Sequence, residues 1–95
     1  MTAQIEKYKE RILTILKKHE VKRASLFGSI VREEMTEQSD IDILIEFDGE
    51  KSLLDLAALK RELEETLQCK VDVLTYNSLH PLLRSTILSE QVKIL

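Results

Sequence analysis

Five residues of this chain have the types and spacing to do chemistry together: Gly28, Ser29, Asp40, Asp42 and Asp72. Gly28 and Ser29 close a short, largely apolar segment, Ala24 to Phe27, and ten residues later Asp40, Ile41 and Asp42 lead into a second one. A turn that leaves a strand and enters a helix exposes unpaired backbone N–H groups, and a glycine there lets a phosphate approach the main chain. Ser29 adds a hydroxyl donor. The glycine and lysine spacings of a Walker loop or a dinucleotide fingerprint are absent, so phosphate binding would need help from other residues.

The carboxylates could supply that help through a cation. Aspartates at i and i+2 of a strand point to the same face, roughly 7 Å apart along the chain. Hard cations such as Mg²⁺ take oxygen ligands, commonly one or two carboxylates plus substrate phosphates. Asp72 stands inside the apolar run Val71, Asp72, Val73, Leu74, where a charge is costly unless compensated. If its strand pairs beside that of Asp40 and Asp42, three carboxylates converge on one face and repel unless a cation lies among them. Metal and nucleotide binding is the reading these residues favour over solvated acids at a strand mouth.

The elements that must position them follow from periodicity. Ile5, Tyr8, Ile12, Ile15, Leu16 and His19 recur at helical spacing, which predicts an amphipathic helix over residues 3–19 with no chemical role for Tyr8 or His19. Ala24 to Phe27 is the first strand, and Ile30 to Met35 holds one or two helical turns at most before a polar loop, Thr36 to Ser39. Asp40 to Phe47 reads as an interior strand, with Asp40, Asp42 and Leu44 on one face and Ile41, Ile43, Ile45 and Phe47 on the other. Asp48, Gly49 and Glu50 signal a turn, and Ser52 with Asp55 caps a helix whose stripe is Leu53, Leu56, Ala57, Leu59, Leu63 and Leu67. Val71 to Thr75 is a third strand. Pro81 opens a last helix carrying Leu82, Leu83, Ile87 and Leu88, with Ser78 as its cap, and Val92 to Leu95 forms an edge strand or a packed tail. The alternation predicts an α/β (α+β) fold, a small mixed sheet flanked by helices, in one domain over residues 1–95.

Composition narrows the function. A chain of 95 residues has room for one core and little wall for a small-molecule pocket. Cys69 is the only cysteine, so no internal disulfide or zinc cluster is expected, and no apolar run reaches the length of a membrane span. A cytoplasmic protein is the expectation. With 17 acidic against 14 basic residues the net charge is −3, which predicts no direct nucleic-acid binding and agrees with a site that recruits cations.

Gly28, Ser29, a ten-residue gap, Asp40 and Asp42, then Asp72 in a separate short strand resemble the signature of the DNA polymerase beta-type nucleotidyltransferases. The likeness runs over nearly the whole chain. Its compactness is most similar to the minimal nucleotidyltransferases (MNT) that accompany HEPN proteins in toxin–antitoxin pairs. The resemblance implies that Gly28 and Ser29 hold the triphosphate of ATP, that Asp40 and Asp42 ligate two Mg²⁺ ions, and that Asp72 ligates one of them and helps deprotonate the attacking hydroxyl. Arg32 matches an arginine often found shortly after the Gly-Ser pair in such proteins and could neutralise phosphate charge, whereas Glu33, where relatives often have glycine, and Glu34 depart from the pattern by placing two negative charges near the triphosphate. The implied function is an antitoxin that transfers AMP from ATP to a tyrosine hydroxyl of a HEPN toxin. The alternatives are an antitoxin that masks its toxin by binding alone, and a nucleotidyltransferase acting on a small molecule, for which homodimerisation could build a pocket.

Overall fold

The computed structural model of the protein describes residues 3–31 and 40–95. It opens with helix α1, Ala3–Lys18, followed by strand β1, Val21–Phe27, and a single 3-10 turn, Gly28–Ile30. Strand β2, Ile41–Phe47, helix α2, Leu53–Leu67, and strand β3, Val71–Thr75, come next. A second 3-10 turn, Tyr76–Ser78, leads into helix α3, Pro81–Glu90, and the short strand β4, Val92–Lys93. The strands form one four-stranded mixed sheet in the order β3-β2-β1-β4. Here β2 pairs parallel with β3 and antiparallel with β1, and β4 runs antiparallel to β1. The α/β reading and the interior position of the second strand are both observed.

Alternation along β2 divides the sheet into two faces. Ile41, Ile43 and Ile45 are buried in the main core with Ala24 and Leu26 of β1, Ile12 and Leu16 of α1, and Leu59, Leu63 and Leu67 of α2. Leu44 points the other way and joins Tyr76 and Leu79, with Phe27, Ile87 and Leu88 packed against them. That second cluster holds α3 on the face that also carries Asp42. Further bonds strengthen the hold: the Ser25 hydroxyl lies 2.7 Å from the Tyr76 hydroxyl, which donates to Gln91 Oε1 at 3.2 Å. Arg23 stacks its guanidinium 4.0 Å from the Tyr76 ring centroid and pairs with Glu46 at 2.6 Å, and Arg84 donates to the Tyr76 carbonyl.

Sequence and structure differ at several boundaries. The first strand starts at Val21 rather than Ala24, because antiparallel pairing with Phe47 extends the ladder past the basic pair Lys22 and Arg23. Helix α2 has the expected capping box, in which Ser52 accepts from the Asp55 amide and Asp55 accepts from the Ser52 amide. Leu53 and Ala57 of its expected stripe are exposed, since only Leu59, Leu63 and Leu67 with half-buried Leu56 face the sheet. The cap of α3 is His80, whose Nδ1 accepts from the Leu82 amide, while Ser78 donates to the Thr75 carbonyl instead. Leu82 and Leu83 are exposed, leaving Ile87 and Leu88 as the packed residues of α3. Val92 and Lys93 form the edge strand, and Ile94 buries its side chain beyond it.

Candidate active site

Gly28 and Asp42 meet where β1 ends and β2 begins. Phe27, the last residue of β1, is the cross-strand partner of Asp42, so the turn that follows passes directly beside that carboxylate. Gly28 takes a left-handed backbone conformation, φ +77°, which glycine adopts without the steric cost other residues bear. The turn closes through a bond from the Val31 amide to the Gly28 carbonyl, 3.1 Å. Approach between the two residues is very close. A Cβ added to Gly28 would overlap Asp42 Oδ2 and stand 3.2 Å from Asp42 Cγ.

The parallel pairing of β2 with β3 sets Asp42 opposite Asp72, within a register that runs from Ile41 opposite Val71 to Ile45 opposite Thr75. Their neighbours Ile41, Val71, Ile43 and Val73 are buried on the reverse face, which turns both carboxylates to the same side of the sheet. Asp42 is half-buried and Asp72 exposed. Asp40 lies just before the strand, where the amide of Ile41 bonds to the carbonyl of Lys70 at 2.9 Å. Its charge reaches Cys69, whose thiol is pushed up first by burial and then by the carboxylates of Asp40 and Glu64.

Among the described residues, no group of three or more His, Cys, Asp or Glu side chains is gathered tightly enough to hold a metal ion. Of the three carboxylates singled out from the sequence, Asp42 and Asp72 share a register position and a side of the sheet, and Asp40 lies just before β2. The donor set nonetheless suits Mg²⁺ in kind: hard oxygens from adjacent strands, in the number that this ion usually takes from protein when phosphates complete its shell. The backbone of Ser29 lies in the 3-10 turn, and its side chain, like Arg32, Glu33 and Glu34, falls outside what the structure describes.

Two contacts that tie the strands and helices of this fold together carry no local sequence signal. Glu64 of α2 accepts from the Val71 amide through Oε2 at 3.2 Å, tying the helix to the start of the strand that bears Asp72. In the sequence it is one acid among several on a charged helix. Tyr76 reveals its part only through contacts with Ser25, Arg23 and Gln91, which are 15 to 53 residues away in the chain. A cavity of about 240 Å³ lined by Ile45, Phe47, Lys51 and Tyr76 lies at the far ends of β2 and β3, roughly 10 Å along the strand from Asp42, and so is separate from the carboxylates.

The nucleotidyltransferase domain model matches residues 7–94. A provisionally named protein adenylyltransferase of Methanocaldococcus jannaschii is 62% identical over 91 residues, covering 96% of this chain and 98% of that protein. Among solved structures, one described as a minimal nucleotidyltransferase superposes with a TM-score of 0.80 at 36% identity, over 93% of this chain and 90% of the other. The fold is also similar to a tri-AMPylated Shewanella oneidensis HEPN toxin in complex with its MNT antitoxin, with a TM-score of 0.75 at 18% identity over 95% and 71% of the two chains.

Proposed function

This chain belongs to the nucleotidyltransferase family, and we propose that it is the antitoxin of a HEPN–MNT pair, transferring AMP from ATP to a tyrosine hydroxyl of the partner toxin. The observation that carries the reading is the juxtaposition of Asp42 with Asp72 across β2 and β3, beside the left-handed turn at Gly28. A relative 62% identical over 96% of this chain is provisionally named a protein adenylyltransferase. An AMPylated HEPN toxin accompanies the MNT antitoxin in a structure of the same fold.

In this reading the Gly28–Ile30 turn presents main-chain N–H groups to the triphosphate, with the hydroxyl of Ser29 and the guanidinium of Arg32 as further donors. Asp40, Asp42 and Asp72 would hold two Mg²⁺ ions, which when bound stabilise charge on the entering and leaving oxygens. Asp72, exposed on β3, the outermost strand of the described sheet, accepts the proton of the acceptor hydroxyl as its oxygen approaches the α-phosphate. A bond forms between that oxygen and the α-phosphorus, the bond to the β-phosphate oxygen breaks, and pyrophosphate leaves.

The test is incubation of the protein with labelled ATP, Mg²⁺ and a HEPN-type partner. Label should appear on the partner, and Asp42→Asn should abolish transfer while leaving the far-ultraviolet circular dichroism unchanged. A variant that transfers AMP at the parent rate would remove Asp42 from the site. A tight complex with no label in the parent protein would leave masking by binding as the function.

A further inference from the structure

In phosphate-binding turns a glycine gives the ligand access to the backbone, but Gly28 has a second neighbour inside the protein. The space that its missing Cβ leaves is taken by the carboxylate of Asp42, with Oδ2 inside the volume that a methyl group would fill. Gly49 is a natural comparison. It too has a positive φ, +86°, yet no atom lies within 4 Å of where its Cβ would be. Left-handed geometry is therefore common to both glycines, and the occupied space belongs to Gly28 alone of the two.

We infer that Gly28 is a positioning residue for Asp42: by lacking a Cβ it opens a slot that fixes the carboxylate against the turn. Strand pairing fixes the Asp42 backbone between Phe27 of β1 and Asp72 of β3, and its carboxylate occupies the space beside the Gly28 main chain. The turn and the carboxylate consequently move as one unit. A phosphate that settles on the turn meets an acid already oriented beside it, and a cation on that acid steadies the turn in return, as linkage between neighbouring sites requires.

The experiment is a stability cycle with a metal-binding arm. Gly28→Ala should lower the melting temperature more than Gly49→Ala, which reports the positive φ without an occupied space. In an Asp42→Ala background the excess should disappear, leaving Gly28→Ala about as costly as Gly49→Ala. Equal losses at the two glycines, or an excess that persists without the Asp42 carboxylate, would overturn the inference. If Gly28→Ala alone does not fold, recovery of the fold in the double variant supports the slot, and failure to recover it overturns it.

The second arm rests on the reading of Asp42 as a metal ligand. Mn²⁺ titrated into the protein saturated with a non-hydrolysable ATP analogue should bind about 10- to 100-fold more weakly to Gly28→Ala than to the parent, as expected when support of a ligand is lost. Unchanged Mn²⁺ affinity in a variant with the predicted stability excess would deny the slot any role in metal binding. If the parent itself fails to bind Mn²⁺, the metal assignment fails, and the melting-temperature cycle still decides whether Gly28 positions Asp42.

Discussion

At the scale of single residues, charge acts here through partners. Glu62 joins α2 to the end of α1: His19 Nε2 lies 2.9 Å from its Oε1, and Lys18 Nζ donates to Oε2 at 3.0 Å. Those contacts, His19 first and Lys18 second, hold the Glu62 carboxyl below its ordinary value of 4.5. A depressed acid stabilises the fold fully above its unfolded value and loses that contribution as pH falls through the folded one. As pH falls below about 5 the parent should therefore lose stability more steeply than Glu62→Gln, measured as the urea midpoint at each pH. Parallel pH profiles would show that the clasp between the helices adds nothing. Asp55, held low by the Ser52 amide, adds a slope of the same sign in both proteins. His19 itself was read from sequence as a packing residue, and its partner 43 positions away could not be seen from spacing.

Elements were most legible where pattern and burial agree. Asp40 to Phe47 alternates so regularly that strand, faces and interior position were all evident, because Ile41, Ile43 and Ile45 fill the main core while Asp42 and Leu44 take the other face. The cap at Ser52 was equally plain, since the capping box is a local device. Helix α3 was not. His80 can cap it because its ring nitrogen reaches the Leu82 amide, a geometry no consensus of small polar caps anticipates, and Leu82 and Leu83 look like core residues yet point into solvent. The same contrast separates residues within α2, where Leu63 is fully buried and Leu53 is 82% exposed. Leu63→Ala should cost about 2 to 5 kcal/mol in chemical denaturation, the range for an aliphatic side chain removed from a packed core. A loss below that range would mean that α2 can settle inward and refill the space.

For the whole molecule, the central question is how ligand binding is coupled to a fold held by one sheet and two apolar clusters. The sequence contained the candidate ligand types and their faces, but it could not supply the approach of Gly28 to Asp42, which depends on antiparallel register between β1 and β2. Nor could it show that Asp72 sits on the outermost strand of the described sheet, because strand order is a property of the assembled fold. Both facts place the candidate ligands across three strands, so a bound cation and nucleotide would join β1, β2 and β3. Anything that binds only the folded state stabilises it by mass action, about 2.7 kcal/mol at a hundredfold excess over the dissociation constant. For a chain of 95 residues this corresponds to a rise in melting temperature of roughly 10 to 20 °C. A non-hydrolysable ATP analogue with Mg²⁺ should produce it, Mg²⁺ alone should produce less, and Asp42→Asn should suppress the difference. A parent protein whose melting temperature ignores both ligands would have no nucleotide site at the junction of these strands.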